Sequence, residues 1–357
     1  MRAVVFDRFG PPDVLQLVER PDPQPGPGDV VVRVEAASVA RLDVFARAGR
    51  LPGIALPRVP GGEHAGVVEA VGVDVHDLAV GARVVVFPVL TCGDCRWCRG
   101  GRAESCPTRV VLGVHADGSY AELTAVPRTH VREIPDELSA ADAAAAAMSG
   151  TLAHHQLAEA GAQPNDWVLV QAAGGGLGAV SALLGVHLGM RVIATSRTPQ
   201  KRARLERLGV VAALDATDHP GFVDAVMELT GGAGVTAALD SVGDPRTFER
   251  TLAVLGRTGA VVLAGAGLRD PAADRDDGAG DGALAHSPRL DLARLYVLSQ
   301  RISALSTSHV ERFHAFWPLV EAGFRAPLDR SFPLAEAAAA HERLERNENF
   351  GRVTLAP

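Results

Sequence analysis

Hydrophobic residues are arranged in two different ways along this chain, and the change falls near residue 150. Before it, short Val-rich runs separated by Pro and Gly predict strands at Ala3–Phe6, Val30–Ala36, Val67–Val71 and Arg83–Phe87. From about 150 to 270, apolar strands alternate with helical segments, at 168–171, 179–189, 191–195, 199–208, 222–229, 236–240, 245–254 and 260–264. Such alternation is typical of a parallel, doubly wound sheet, so we predict an α/β fold with a β-rich first part.

The last part of the chain returns to mixed elements. Its pattern predicts two helices, Val310–Ala322 and Leu334–Arg346, and a closing strand, Gly351–Leu355. The stretch Leu268–His286 is dense in Asp, Gly and Ala, which predicts a mobile surface loop because few apolar residues anchor it.

The stretch Val168–Gly178 joins a short apolar strand to a glycine-rich turn and the start of a helix. This order brings backbone N–H groups at a helix N-terminus close to a pyrophosphate. Arg191–Thr195 follows about one helix later and completes a βαβ unit. Ala173 stands where the dinucleotide-binding fingerprint usually has its first glycine, and glycine runs also occur in ordinary loops. The context favours a dinucleotide site, whose phosphate-binding residues would be Gly174, Gly175, Gly176, Leu177 and Gly178.

Composition fits this interpretation. The 357 residues are 47% hydrophobic and 22% charged, as in an ordinary globular protein long enough for two domains. The net charge of −7, without a basic tract, gives no case for a nucleic-acid partner. No apolar run reaches the ~18–20 residues of a membrane helix, and the N-terminus lacks a signal-peptide core. We therefore expect a cytoplasmic protein that acts on a small molecule and has no membrane partner.

All four cysteines of the chain lie close together, at Cys92, Cys95, Cys98 and Cys106. In a cytoplasmic protein, clustered thiols hold metal more often than they form disulfides. Four thiolates in one short loop suit a closed tetrahedral Zn²⁺ site, which has no open position for chemistry. We therefore predict one structural Zn²⁺ per chain. An iron–sulfur cluster and four free thiols are the alternatives, and no other feature of the sequence supports either.

Five motifs together resemble the medium-chain dehydrogenase/reductase superfamily over essentially the whole chain. They are Gly61–Gly72, the four-cysteine segment, Gly118–Glu122, the glycine turn and Asn349–Val353. The resemblance implies a GroES-like catalytic domain, formed by residues 1–150 and 305–357, with a structural zinc lobe at 88–110. It also implies a Rossmann cofactor domain at 151–304, an active-site cleft between the domains, and a homodimer or homotetramer.

The chain departs from the zinc alcohol dehydrogenases of this superfamily at the positions of their catalytic metal ligands. The resemblance places the family's cysteine, histidine and third ligand at Ala40, Gly62 and Met148. Ala and Gly cannot coordinate, and Met is a poor ligand for a zinc ion that polarises an alcohol. We therefore expect no catalytic zinc.

Without the catalytic-zinc ligands, the chain resembles the quinone oxidoreductases and enoyl reductases of this superfamily. Asp43–Gly49 resembles their Asp-Val-Tyr-x-Arg-x-Gly stretch, but Ala40 replaces their usual asparagine and Phe45 their tyrosine. Because both polar groups are missing, no proton donor can be carried over from the family.

Three polar side chains near these positions are the candidate catalytic groups: Arg41, Asp43 and His64. Arg41 stands beside the vacated cysteine position and could hold an oxyanion, or it could pair with Asp43. His64 has a side chain that titrates near neutrality, although a lone histidine after glutamate is more often a hydrogen-bonded structural group. Tyr120 is a weaker candidate. Asp43, Glu63 and His64 could alternatively hold a displaced metal.

The residues after the second strand of the βαβ unit favour NADP(H) over NAD(H). Ser196 stands where an acidic residue would bind the ribose 2′-hydroxyl, and Arg197 and Lys201 follow it. Both cations suit a 2′-phosphate, although they could equally be solvated charges at a helix start. Other cofactor contacts are expected at the carboxyl ends of later strands and, by resemblance, at the pyrophosphate: Ser241, Val242, Gly265, Ala266 and Arg352.

The absence of a catalytic metal favours one reaction over another. Reduction of a plain ketone places charge on an alkoxide, whereas reduction of an activated C=C spreads it over an enolate that hydrogen-bond donors can stabilise. The sequence therefore predicts an NADPH-dependent reductase of an enone, quinone or enoyl thioester. A carbonyl or imine reductase (or alcohol dehydrogenase) and a non-catalytic NADPH-binding protein are the alternatives.

Overall fold

The computed structural model describes residues 1–215, 217, 219–265 and 288–357. These residues form two compact units: Met1–Leu152 together with Thr307–Pro357, and Ala153–Ser306. The predicted loop Leu268–His286 and the predicted cofactor residue Ala266 lie outside the described residues. Among the helices that are described, none is both long and apolar enough to cross a bilayer.

The first unit is rich in strands, as its short Val-rich runs predict. A sheet of seven strands has the order β16-β17-β3-β4-β5-β9, with β8 also paired to β3. Two small two-stranded sheets pair β1 with β2 and β6 with β7. The strands are β1 (Arg2–Val5), β2 (Gln16–Glu19), β3 (Asp29–Val39), β4 (His64–Val71), β5 (Arg83–Val86), β6 (Val89–Leu90), β7 (Val110–Val111), β8 (Leu123–Pro127), β9 (Val131–Glu133), β16 (Leu328–Pro333) and β17 (Arg352–Ala356).

Helices complete the first unit. They are α1 (Arg41–Arg47), α2 (Arg96–Arg99), α3 (Ala140–Ala160), α9 (Val310–Glu321) and α10 (Ala337–Glu345), of which α3 continues into the second unit. Strand β17 from the end of the chain pairs with β3, so the two sequence segments of this unit share one sheet. Most of β3 and the first part of β4 are buried in consecutive runs, so these two strands lie in the core of the unit.

The second unit is a six-stranded parallel sheet in the order β12-β11-β10-β13-β14-β15. Its strands are β10 (Trp167–Val170), β11 (Arg191–Thr195), β12 (Ala212–Leu214), β13 (Val235–Asp240), β14 (Leu255–Leu263) and β15 (Arg301–Ala304). Its other helices are α4 (Gly176–His187), α5 (Pro199–Arg207), α6 (His219–Leu229), α7 (Pro245–Ala253) and α8 (Leu292–Leu298). The strand order reverses beside β10, the position where doubly wound folds bind nucleotides at the carboxyl ends of their strands.

This architecture confirms the predicted α/β fold, with a GroES-like β-rich unit and a Rossmann-type unit. Strands β10 and β13 are mostly buried and apolar, and so are β11 after Arg191 and β14 after Thr258, as central parallel strands require. The sequence pattern missed β12 and β15. Strand β12 has only three residues, and β15 is an edge strand with mostly exposed side chains, so neither forms a continuous apolar run.

Candidate active site

The glycine turn lies between β10 and α4, as predicted. Helix α4 begins at Gly176, and its N-cap residue, Gly175, has no side chain that could accept a hydrogen bond from the first turn. A Cβ atom on Gly178 would lie 2.4 Å from the carbonyl oxygen of Ala172, so only glycine allows the helix to start this close to the strand. The first N–H groups of α4 are therefore available to an anion, which fits a pyrophosphate.

The carboxyl end of β11 contributes the residues predicted to select the cofactor. A Cβ atom on Gly174 would lie 2.9 Å from Ser196 Oγ and 2.7 Å from Lys201 Cδ, so both side chains contact the glycine turn. Arg197 is exposed beside them. Arg202 is engaged elsewhere, because its Nη1 donates to the Ser196 carbonyl oxygen at 2.8 Å and to the carboxylate of Asp215, directly after β12, at 2.9 Å. Ser196 and the two neighbouring cations thus remain a fit for a 2′-phosphate.

The loops after β13 and β14 approach each other closely. The Asp240 Oδ1 atom accepts hydrogen bonds from the backbone N–H groups of Val242 (2.8 Å) and Gly243 (3.1 Å), which fixes the turn after β13. A Cβ atom on Gly265 would lie 2.4 Å from the Ser241 carbonyl oxygen. Ser241, Val242 and Gly265 therefore lie together at the carboxyl edge of the sheet, where their cofactor role stays a prediction.

The four cysteines converge in the first unit. The sulfur atoms are 3.5 Å apart for Cys95 and Cys98, 3.6 Å for Cys92 and Cys106, and 3.9 Å for Cys92 and Cys98. A regular tetrahedron with Zn–S bonds of about 2.3 Å has sulfur–sulfur edges of roughly 3.8 Å, so the spacing fits a ZnS₄ site. Among the described residues, this is the one group of three or more His, Cys, Asp or Glu side chains positioned to hold a metal.

The position where the resemblance predicts a catalytic metal, here called the vacated position, has no comparable donor set. Ala40 ends the connection from β3 to α1, Gly62 precedes β4, and Met148 lies on α3. A Cβ atom on Gly62 would lie 2.9 Å from Pro88 Cβ and 3.3 Å from the Leu112 carbonyl oxygen. A ligand side chain at this position would therefore require its neighbours to move. These residues do not fit a catalytic zinc.

Glu63, next to Gly62, is occupied by a buried ion pair. Its Oε1 atom accepts a short hydrogen bond from the Arg352 guanidinium, which also donates to Ser38 Oγ at 2.7 and 3.1 Å. The Oε2 atom accepts from the backbone N–H groups of Met148 (3.2 Å) and Ser149 (3.4 Å). All oxygens of this carboxylate are engaged, so the side chain acts as a link between β3, β4, α3 and β17.

Asp43 lies at the start of α1 and is 2% exposed. Its Oδ2 atom accepts the Ala40 N–H at 2.7 Å and the Tyr120 hydroxyl at 3.3 Å. The same hydroxyl is 3.1 Å from His341 Nε2. Burial raises the pKa of the Asp43 carboxyl to about 7, against the backbone hydrogen bond from Ala40, and the charge of Glu63 adds to the rise. Asp43 is therefore a buried carboxyl group that can hold a proton at neutral pH.

His64 is fully buried and both of its ring nitrogens have partners. Nδ1 is 2.8 Å from the Gly62 carbonyl oxygen, and Nε2 is 2.8 Å from Thr124 Oγ1. Burial lowers the pKa of the imidazole to about 4. His64 is thus a neutral side chain within the sheet, where it bridges β4 and β8, and it does not converge with Asp43 and Glu63 on a common metal position.

Arg41 is exposed and reaches the C-terminus of α10. Its Nη2 atom donates to the Leu344 carbonyl oxygen at 2.9 Å and to Asn347 Oδ1 at 2.8 Å. Arg352, predicted near the pyrophosphate, is 5% exposed in the ion pair with Glu63. The catalytic role of Arg41 and the cofactor role of Arg352 stay predictions.

Sequence reasoning missed several buried polar residues beside the predicted ones. Ser38, Ser149 and His341 complete the networks around Glu63 and Asp43, and Gln171 and Thr251 lie below the glycine turn. The available signal was a polar residue inside an apolar run, since Ser38 interrupts β3 and Gln171 directly follows β10.

Two protein families match the chain. Residues 26–136 match the alcohol dehydrogenase GroES-like domain, and residues 176–321 match the zinc-binding dehydrogenase family. An alcohol dehydrogenase of Rhizobium meliloti (strain 1021) is 34% identical over 267 residues, which cover 74% of this chain and 77% of the relative. The chain belongs to the medium-chain dehydrogenase/reductase superfamily, a family of oxidoreductases.

Solved structures align over the full length of the chain. An NAD-dependent alcohol dehydrogenase has a TM-score of 0.89 at 33% identity, with all of both chains covered. Two mycobacterial structures also cover all of both chains: a quinone oxidoreductase (31% identity, TM-score 0.76) and a protein complexed with NADPH (30% identity, TM-score 0.77). The similar structures therefore include more than one reaction class.

Proposed function

We propose that this chain is an NADPH-dependent reductase that adds hydride to an activated C=C bond, in an enone, a quinone or an enoyl thioester, without a catalytic metal. The observation that carries the proposal is the vacated metal position. Ala40, Gly62 and Met148 provide no suitable ligand, and a side chain at Gly62 would collide with Pro88. Glu63 cannot substitute for a missing ligand because Arg352 and two backbone amides hold its carboxylate.

The second unit has features that support NADPH binding. The N–H groups at the start of α4 would bind the pyrophosphate, and Arg197 and Lys201 would face the 2′-phosphate, with Ser196 leaving room for it. NADPH, when bound, supplies the hydride. The mycobacterial protein complexed with NADPH supports this cofactor, whereas the NAD-dependent relative makes the comparison of the two cofactors an essential test.

A C=C bond suits this site better than a plain carbonyl. Hydride addition to the β-carbon of an enone leaves negative charge shared between the α-carbon and the oxygen, and neutral hydrogen-bond donors stabilise such an enolate. Hydride addition to a ketone leaves a localised alkoxide, which zinc would stabilise in a metal-dependent enzyme. Since the first unit provides no ligand set for that metal, the reaction with less localised charge is favoured.

Asp43 is the proposed source of the proton that completes the reduction. Its pKa of about 7 keeps a substantial fraction of the carboxyl protonated at neutral pH, which general acid catalysis requires. Tyr120 and His341 extend the hydrogen-bonded path behind it. The pKa of the Tyr120 hydroxyl is raised well above its usual value by burial, so this group would pass a proton along the path and stay neutral.

Product analysis with a simple enone tests the reaction. With NADPH deuterated at the transferred position, we expect a saturated ketone carrying deuterium on its β-carbon. Metal analysis of the same preparation should give about one Zn²⁺ per chain. Formation of an allylic alcohol, or a second tightly bound zinc needed for activity, would contradict the proposal.

The second candidate is a carbonyl reductase or alcohol dehydrogenase. Two names favour it: that of the Rhizobium meliloti relative and that of the solved structure with a TM-score of 0.89 are both alcohol dehydrogenase. An imine substrate belongs to the same alternative. The enone separates the candidates, because only this second reaction gives the allylic alcohol. NADPH binding without turnover of any enone, quinone, ketone or imine would instead indicate a non-catalytic binding protein.

The structural zinc belongs to the same proposal. The four cysteines would hold the ion and stabilise the loop that carries them, without contact to the reaction. The homodimer or homotetramer and the cytoplasmic location stay predictions, and sedimentation or size-exclusion measurements of the purified chain test the first of these.

A further inference from the structure

A series of buried polar side chains lies beneath the glycine turn of the second unit. Thr195 is the last residue of β11, Gln171 directly follows β10, and Thr251 lies on α7. Each of the three is at most 1% exposed. Buried polar groups are costly unless they are hydrogen bonded, so three together at one place require an explanation.

The three side chains form one continuous hydrogen-bond chain, in which every polar atom has a defined role. The backbone N–H of Ala172 donates to Thr195 Oγ1 at 3.0 Å, and the Thr195 hydroxyl donates to Gln171 Oε1 at 2.7 Å. Gln171 Nε2 donates to Thr251 Oγ1 at 2.8 Å, and that hydroxyl donates to the Thr247 carbonyl oxygen at 2.8 Å. A hydroxyl has one proton, so each threonine must accept from one side and donate to the other.

Ala172, at one end of this series of hydrogen bonds, has an unusual backbone conformation. Ala172 has φ of +52°, in the left-handed region that non-glycine residues rarely adopt. Its carbonyl oxygen accepts from the Gly175 N–H at 3.0 Å and lies under Gly178 at the start of α4. The conformation of Ala172 thus sets where the first turn of α4 lies relative to β10.

We propose that Thr195, Gln171 and Thr251 are positioning residues for the cofactor phosphates. They hold Ala172 in its left-handed conformation and so keep the N–H groups at the start of α4 directed at the pyrophosphate. The same series of hydrogen bonds also connects the glycine turn to α7, which begins just after the Ser241–Gly243 loop. The phosphate-binding turn and the loop after β13 are therefore held in one arrangement. This inference rests on the proposed binding of NADPH.

Thr195→Val is the most direct test, because valine keeps the shape of threonine and removes only the hydroxyl. The buried Ala172 N–H and Gln171 Oε1 then lose their partner. We expect the Kd for NADPH, measured by fluorescence titration, to rise roughly 10- to 100-fold. The Kd for NADH should rise by a similar factor, because both cofactors share the pyrophosphate. Arg197→Ala should instead weaken NADPH binding selectively.

Two variants serve as controls. Thr195→Ser keeps the hydroxyl and should retain most of the affinity of the wild type. Thr354→Val makes the same substitution in the first unit at a buried threonine whose Oγ1 has no hydrogen-bond partner among the described residues. It should leave the Kd for NADPH unchanged. Urea unfolding of each variant shows whether the protein measured is folded.

A second variant covers the case in which Thr195→Val does not fold. Gln171→Glu keeps the side-chain volume but replaces the amide group that donates to Thr251 with a carboxylate oxygen. We expect it to weaken the binding of both NADPH and NADH as well. An unchanged Kd in folded Thr195→Val and Gln171→Glu, or a loss in Thr195→Ser equal to that in Thr195→Val, would overturn the inference. If the wild type binds neither NADPH nor NADH, the proposed function itself fails.

Discussion

The two positions of the first unit where the family resemblance predicts zinc have opposite properties in this chain. At the cysteine lobe, four sulfur atoms lie at the edge lengths of a tetrahedron. At the position formed by Ala40, Gly62 and Met148, no suitable ligand side chain is present, and close neighbours occupy the space where a side chain at Gly62 would lie. The comparison indicates that a chain of this fold can keep the donor set of the cysteine lobe while the predicted catalytic-metal position lacks suitable ligands.

The largest predicted effect concerns the lobe that keeps its ligands. Cys98→Ser should reduce the zinc content from about one ion per chain to near zero, because a closed site needs all four thiolates. The free energy of unfolding should fall by at least about 5 kcal/mol, since metal binding and folding of such lobes are coupled. Metal analysis and urea unfolding measure both effects. Ser105→Ala, an exposed neighbour, should keep the zinc; full zinc occupancy of Cys98→Ser would show that the ion is held elsewhere.

Asp43 tests the electrostatics beside the vacated position. Its folded-state pKa is raised to about 7, so the folded chain keeps a proton that the unfolded chain releases near pH 4. This contribution to stability is complete below about pH 4 and is lost as the pH rises to about 7. Asp43→Asn should remove this pH dependence. As the pH rises from about 4 to about 7, the free energy of unfolding of the variant should therefore gain roughly 2–4 kcal/mol relative to that of the wild type.

The measurement is the free energy of unfolding of the wild type and of Asp43→Asn as a function of pH. Buried histidines such as His64 have lowered pKa values, so they destabilise the fold as the pH falls, in the direction opposite to Asp43. Both proteins share these histidines, so the difference between the two curves isolates Asp43. Asp7→Asn, at an exposed carboxylate, is the control and should show no such change. A difference curve that does not vary with pH would mean that folding leaves the pKa of Asp43 unchanged, so that its carboxyl is ionised at neutral pH. In that case Asp43 is not the proton source.

Gly62 tests whether the vacated position is closed. Gly62→Ala should cost about 1–3 kcal/mol of unfolding free energy, because the added methyl group would lie 2.9 Å from Pro88 Cβ. The triple variant with Ala40→Cys, Gly62→His and Met148→Cys should still bind only one zinc. Gly28→Ala, where a Cβ atom meets nothing within 4 Å, is the matched control. A second zinc in the triple variant would show that the position is open and that its ligands alone were lost.

Arg41 should give the smallest effect. Arg41→Ala removes two hydrogen bonds of an exposed side chain to the end of α10, which we expect to cost less than about 1 kcal/mol. Arg346→Ala, another exposed arginine at this helix end, is the comparison for stability. If kcat falls much further in Arg41→Ala than in Arg346→Ala while both variants stay equally stable, the predicted catalytic role of Arg41 is supported.

The features that could be predicted from the sequence are those whose residues lie close together along the chain. The buried strands, the glycine turn and the cysteine cluster each depend on a spacing of a few residues, and each lies where the pattern indicates. The networks around Glu63, Asp43 and Gln171 join residues up to about 300 positions apart, and pairing of this kind has no local periodicity. The short strand β12 and the exposed edge strand β15 escaped prediction because their burial depends on their neighbours.

The buried ion pair of Arg352 has a consequence for the order of events during synthesis. Arg352 lies 289 positions after Glu63 and 314 after Ser38, and β17 closes the sheet that β3 begins. Until Arg352 has been synthesised, Glu63 has no guanidinium partner and part of β3 has an open edge. We therefore expect the second unit to become protease-resistant on the nascent chain first, and the N-terminal half of the first unit to depend on chaperones until β17 has left the ribosome.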